Sequence, residues 1–520
     1  MSGPTKGPRF PLFTRVVAIV LVVGLPLGAY LLQKPATQGE QGGLDLKAGG
    51  GVWFCAEGST DKGIAERLDL ANPYSQAAKG RYTLFAGEKR LESEQLSVPG
   101  RGRSTIDLDR ELLGEAPGLQ VGAVIELDLT AVAIAQTVSV SSPEATGTMA
   151  APCTEGTAPA RYFPGGSSVR GAETYLILFN PFPQDAVVNV DVYTDSGIER
   201  PKNLQQFPLF AGRSAVVKLS DEVRRESALG AVVRAESGQV VSQQVLYSNG
   251  ERLPAGVSLS AGSTDPSPDW HFADGNAGMS QLLWIMNPGE TEEEIEVEFL
   301  PEGLLTETPP PQSMRVPPNS EATMTISPAL APEVNFGLTA RTVSGSGVFV
   351  DRLIGYPAPP QHGMSAGPGI ASPMDRWLIP NAWGAEQGVP YSNVLSVTNP
   401  GSATAKLTIG RLDSGAVEVP AAYSNVVVPP GGRITLAASN EFSAKAMTLV
   451  GWSDEPLVVE SRVSAIAPRV GFEVMAPVRL PSAFVLPGTV DAPPVIPAEA
   501  TPTAPPSPSV EPTPTATPQG

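Results

Sequence analysis

Two neighbouring segments decide the fold: Leu176–Pro181, LILFNP, and Ala186–Tyr193, AVVNVDVY. The second alternates apolar and polar residues with period two, the pattern of a half-buried β-strand. The first is a short apolar run that stops at Asn-Pro. Proline has no N–H to give to a ladder, so the strand must end there. The Asn180 carboxamide is placed to hold the turn by bonding nearby backbone.

The same signal returns three more times, in LDLANP at Asn72-Pro73, LWIMNP at Asn287-Pro288 and LSVTNP at Asn399-Pro400, where the second copy reads Asn180-Pro181. The intervals between the asparagines are 108, 107 and 112 residues. Seventeen to twenty-two residues upstream of each sits an aromatic: Trp53, Tyr162, Trp270 and Trp377. Twenty-seven to thirty residues downstream comes a turn and a strand, at Pro99, Pro208, Pro317 and Pro429. A fourth marker closes each copy, in AIAQTVSV, VVSQQVLY, VFVDRLIGY and VVESRVSA. Four markers in constant order define an internal repeat.

Within a copy, Val, Ile, Thr and aromatics fill runs that Gly, Pro, Asn and Ser interrupt, as in EIEVEF at 294–299. Such a pattern predicts an all-β chain of four tandem immunoglobulin-like antiparallel β-sandwich repeats, over residues 50–150, 158–260, 267–366 and 374–477. The Cys-Trp-Cys core pattern is missing, so strand topology is left open. A large aromatic near the start of each copy is expected to cover one end of its core. Arg103, Arg213 and Arg433 follow the turn, but the third copy has Glu321 there, which weakens a shared role for that charge.

The order W-F-x-A-E-G, then N-P, then V-P-x-x-R, then an apolar-acidic-Arg strand resembles an extracellular repeat of actinobacterial and related membrane-anchored envelope proteins, a family of unknown function. The match is closest in Val52–Thr60 (VWFCAEGST) and Val348–Tyr356 (VFVDRLIGY) and covers roughly residues 50–477. The second copy departs from it, with Gly165-Gly166 in place of acid-Gly. The resemblance implies an extracytoplasmic location and a β fold. It brings no activity and no binding residues.

The ends have another character. Residues 16–32, VVAIVLVVGLPLGAYLL, are seventeen uncharged apolar residues, enough to span about 25 Å as a helix. Lys6, Arg9 and Arg15 in the basic segment 1–15 set the N-terminus in the cytoplasm and the bulk outside. Leu27-Gly28-Ala29 puts a large residue where a signal peptidase prefers a small one, so the span is read as an uncleaved single-pass anchor, with a cleaved signal peptide as the rival. Residues 33–49 are a linker. Residues 482–520 form a Pro/Thr-rich tail whose composition cannot build a core and predicts disorder. Outside the membrane thiols oxidise, and the two cysteines, Cys55 and Cys153, are expected to form a disulfide, the alternative being two buried free thiols.

Composition excludes several functions. A net charge of −18 offers no basic footprint for nucleic acid. Only His271 and His362 exist to serve in His-based metal sites or in nucleophilic triads. Gly363-Met364-Ser365-Ala366-Gly367 matches a hydrolase elbow, but the following PGIASP is no helix. Glu292, Glu294, Glu296 and Glu298 share one strand face, a poor calcium cage and a good solvated face. Asp274-Gly275-Asn276 lacks the remaining ligands of a calcium loop.

No catalytic residue, cofactor or metal site is expected. The leading expectation is a non-catalytic, membrane-tethered scaffold or adhesion rod of the bacterial envelope, whose partners are the membrane through residues 16–32 and envelope glycans or proteins. The alternative is a polysaccharide-binding module with Trp284, Trp383 and Trp452 as stacking surfaces. A third reading, an envelope hydrolase, has no visible site.

Overall fold

The computed structural model describes residues 50–481, apart from 113, 142–145, 304–308, 357–362, 383–390, 414, 439–441, 443–446 and 466–470. All of these lie in the second of two compact units, Leu46–Gly520. The anchor at 16–32, the linker, the tail at 482–520, His362 and Trp383 lie outside the described residues. Among the described residues no helix is long and apolar enough to cross a membrane.

The described chain is all-β, and its strands form antiparallel sheets that fall into four sandwich-like modules. The third shows the plan. One sheet runs Asp269–Phe272, Phe336–Thr342, Glu293–Pro301, Gln312–Val316; the other runs Ser320–Thr325, Ser280–Asn287, Phe349–Gly355, Met364–Pro368. The first and second modules repeat this order with short extra edge strands. In the fourth, one long strand, Met447–Ala465, serves both sheets, pairing with Met374–Ala382 in its first half and with Tyr391–Thr398 in its second.

Each module has its own apolar core, and period-two alternation explains which side faces it. In Glu293–Pro301 the residues Ile295, Val297 and Phe299 are buried, while Glu294 and Glu298 between them are exposed. Trp53, Trp270 and Trp377 are buried in the cores of modules one, three and four. Module two differs. There Phe163 fills the core, and its neighbour Tyr162 is only partly buried, stacking on Phe349 of module three with ring centroids 4.1 Å apart.

The Asn-Pro marker has one geometry in all four modules. Asn180 Nδ2 donates to Gln184 O (2.8 Å) and Leu209 O (3.0 Å), and its Oδ1 accepts from the Phe182 amide (3.0 Å). Asn72, Asn287 and Asn399 make the same three kinds of bond. One buried carboxamide thus ties the turn it starts to the end of a strand in the facing sheet. Cys55 and Cys153 form a disulfide with Cα atoms 4.8 Å apart, joining the opening strand of module one to the segment that leaves it.

The modules are not strung out as the expected rod. Each second sheet ends in a strand, Thr146–Pro152, Gly256–Ser260, Met364–Pro368 or Phe472–Met475, and these four touch one another in a closed cycle. Ser258 Oγ donates to Ala366 O (2.9 Å) and accepts from the Ala366 amide, and Ser365 Oγ donates to Val474 O (3.1 Å). Module four closes on module one through Ala71 and Ala133 packed with Leu378, Val450 and Leu480. Apolar side chains, among them Val138, Met149, Val257 and Leu259, are removed from water where the closing strands of neighbouring modules meet.

Candidate functional site

The repeat markers meet at the joints between modules. In the joint of modules one and two, the Ala56 and Glu57 amides both donate to Gln243 Oε1, each at 2.7 Å. Between three and four, the Asp274 amide donates to Glu460 Oε2 at 2.6 Å. Between two and three, Gly165 lies against the Asp351 carboxylate. Between four and one, Asn381 Nδ2 donates to Thr137 Oγ1 at 3.2 Å. The opening strand of each module therefore meets the closing strand of the next.

The third-to-fourth joint is ionic. Asp274 is fully buried and accepts from Ser396 Oγ (2.7 Å) and Arg462 Nη1 (3.1 Å), with Arg433 Nη2 at 3.7 Å. Arg352 Nη2 reaches both Glu460 oxygens, at 3.0 and 3.1 Å. Arg433 also binds Glu302 (2.6 Å) and the Ala273 carbonyl (2.8 Å). Burial pushes the Asp274 carboxyl up, but Arg462, Arg433 and Arg352 outweigh it and hold it below the ordinary carboxylate range. Burial lowers the Arg433 guanidinium, against the pull of Asp274 and Glu302. The turn marker that varies between Arg and Glu takes different roles: Arg103 pairs with Asp69 of its own module, Arg213 makes an exposed pair with Glu88 of module one, Glu321 lies buried against Gly230 of module two, and Arg433 meets module three.

In the other joints the shifts of buried acids are dominated by desolvation. Burial pushes Glu57 up to about 7, Asp351 to about 7 and Glu473 to about 8, and raises Glu66 and Glu321 well above the ordinary range. Glu321 and Asp351 share one joint, where the Asp351 charge adds to burial in raising Glu321. Burial favours the protonated form of each of these groups.

The residues singled out from the sequence are mostly absorbed by structure. Trp284 is fully buried, packed with Leu246 and Leu353, and its indole N–H donates to Ser227 O (3.0 Å). It cannot stack on a sugar; it anchors module three to module two. Trp452 is partly buried in the cluster that closes module four on module one. Ser365 lies on a strand rather than a strand-to-helix turn. His271 is 6% exposed, with Nδ1 at 2.9 Å from Thr339 Oγ1. Glu292 and Glu294 face Arg315 at 3.6 and 3.5 Å across solvent. Among the described residues no group of three or more His, Cys, Asp or Glu side chains is arranged to hold a metal.

Two concavities stand out among the described residues. A cavity of about 110 Å³ lies between the four central strands, against Ala151, Leu259, Ala366 and Val474. A larger one, about 560 Å³, opens in the joint of modules two and three, beside the Trp284 anchor. Its walls come from the loops at Ser227 and Arg252 and from the strands carrying Gln281, Thr323 and Thr325. Nothing in the sequence pattern marked it, because each wall belongs to a different repeat.

Together these features define an all-β protein of sandwich-like modules, bound into a cycle by the residues that its repeats share. Part of the chain is similar to a known group: residues 114–270, which span the second module, match a family described as "Family of unknown function (DUF5719)". No curated protein matches the chain. Among solved structures, that of Thermotoga maritima 1070 is 15% identical, with 20% of this chain and 95% of that chain covered and a TM-score of 0.18. The open conformation of the pilus adhesin SpaC from Lactobacillus rhamnosus GG is 10% identical over 80% of this chain and 57% of that chain, with a TM-score of 0.12. A GH78 family rhamnosidase of Bacillus sp. GL1 is 10% identical over 83% and 55%, with a TM-score of 0.10.

Proposed function

We propose that the chain is a non-catalytic scaffold on the outer side of a bacterial cell envelope, tethered to the membrane through residues 16–32 and built of four immunoglobulin-like modules closed on one another. The observation that carries this reading is where the charged markers go. Asp274, Arg352, Arg433 and Glu460 are buried against a neighbouring module, where they link modules three and four. An assembly of docked modules on a membrane tether suits presentation of a surface to envelope components. The Cys55–Cys153 disulfide supports an oxidising compartment. The chain is to be followed by membrane fractionation and by protease treatment of intact cells. Recovery in washed membranes, with modules removed from outside, is expected. Recovery as a protected cytoplasmic protein would overturn the reading.

A second reading, binding of envelope polysaccharide, is favoured by the 560 Å³ cavity between modules two and three. Sedimentation of the purified full chain with isolated cell wall separates it from a purely protein-directed scaffold.

A further inference from the structure

We propose that the cavity between modules two and three is a binding site for a short uncharged carbohydrate, which deepens and rests on the polysaccharide-binding reading. Its volume of about 560 Å³ lies within the usual range of small-molecule sites, roughly 300–1,000 Å³. That is room for about two or three sugar rings.

The lining chooses the ligand class. Asn276, Gln281, Ser280, Thr323 and Thr325 offer groups that donate and accept, matching ligand hydroxyls that do both. Leu253 and Leu282 supply apolar surface for the C–H face of a sugar ring. Among the described lining residues the one charged group is Arg252, which is exposed, and there is no carboxylate, although the chain carries 53 acids. An acyl chain would leave the hydroxyls unpaired, and a strongly anionic ligand would find one solvated guanidinium.

Gln281 is only 4% exposed, and its Nε2 donates to Asn276 O at 3.3 Å, which fixes that part of the wall. The walls are also fixed in advance. The bond from the Trp284 indole to Ser227 O joins the two modules at the cavity's edge, so little ordering accompanies binding.

The test uses the full-length chain in detergent micelles, titrated with maltotriose, cellotriose and chitotriose and, for contrast, with a galacturonic acid trimer, by calorimetry and saturation-transfer NMR. At least one neutral trisaccharide should bind saturably. Thr325→Trp, at the exposed edge of the cavity, should weaken it at least tenfold with an unchanged melting temperature. Ser327→Trp serves if the first variant lowers that temperature. Val343→Trp, exposed on the same module outside the cavity, should bind as the parent does. Neutral binding that neither cavity variant weakens sinks this site but leaves the polysaccharide reading standing elsewhere on the chain. Failure of all three neutral trisaccharides, or preference for the acidic trimer, overturns the proposal; if the chain then still sediments with cell wall, the broader reading survives.

Discussion

Arg352 of module three holds Glu460 of module four through one nitrogen shared between both carboxylate oxygens, at 3.0 and 3.1 Å, with each side chain at most 5% exposed. The same guanidinium lies over the Phe272 ring, 4.7 Å from its centroid. A buried pair of this kind is far more costly to break than to replace. Arg352→Ala or Glu460→Ala alone is expected to destabilise the third-to-fourth joint by about 3–5 kcal/mol. The double change to Met and Leu should cost much less. A double-mutant cycle by urea denaturation checks both; equal losses for the single and double variants would show that the pair is not the element that holds.

The protonated joints make stability fall as pH rises. Glu57, Asp351 and Glu473 keep their protons to about 7, 7 and 8 in the folded chain, against 4.5, 3.8 and 4.5 ordinarily. Between those limits the folded state binds more protons than the unfolded one, so raising the pH through roughly 4 to 8 weakens folding. Asp274 works in the opposite sense, but only near and below its ordinary 3.8. Calorimetry should give a higher melting temperature at pH 5.5 than at pH 8.5, and Glu473→Gln should flatten the slope. A rising melting temperature over that interval contradicts the buried-acid account.

Asn180 makes three backbone hydrogen bonds with one side chain. Asn180→Ala leaves two carbonyls and an amide without those partners, for an expected loss of about 2–4 kcal/mol. Asn180→Asp keeps the acceptor and loses both donors, so most of that loss should remain. Chemical denaturation of the two variants compares them directly, and a near-neutral Ala variant would mean that water replaces the carboxamide.

Reduction of the Cys55–Cys153 bridge should lower the melting transition of module one by an amount equivalent to about 2–5 kcal/mol. Hydrogen exchange by mass spectrometry gives the regional view. Amides of Val121–Leu127, which pair with the opening strand, should lose protection before those of Phe336–Thr342 in module three.

What the sequence made legible was local. Alternation in AVVNVDVY and EIEVEF revealed strands, and an even pair of cysteines pointed to the disulfide. Which faces are covered by another module was not legible, because a strand's second face looks the same against solvent or a neighbour when its residues are small. Trp284 shows the difficulty: its position in a strand fits an exposed stacking surface as well as an anchor, and only the Ser227 carbonyl across the joint decides. The clearest unused signal was polar residues inside apolar closing strands, at Gln243, Asp351 and Glu460. A buried polar residue needs a partner, and in Gln243 and Glu460 that partner belongs to the preceding repeat.

A cycle of modules has no privileged first member. Leu480, near the end of the described chain, packs beside Ala71 and Ala133 of module one, so the last sandwich is already docked against the first. The three peptide connections between consecutive modules are therefore one route around a circuit whose fourth passage is non-covalent. A circularly permuted chain, with modules one and four joined by a short linker and new ends opened between modules two and three, should reach the same arrangement.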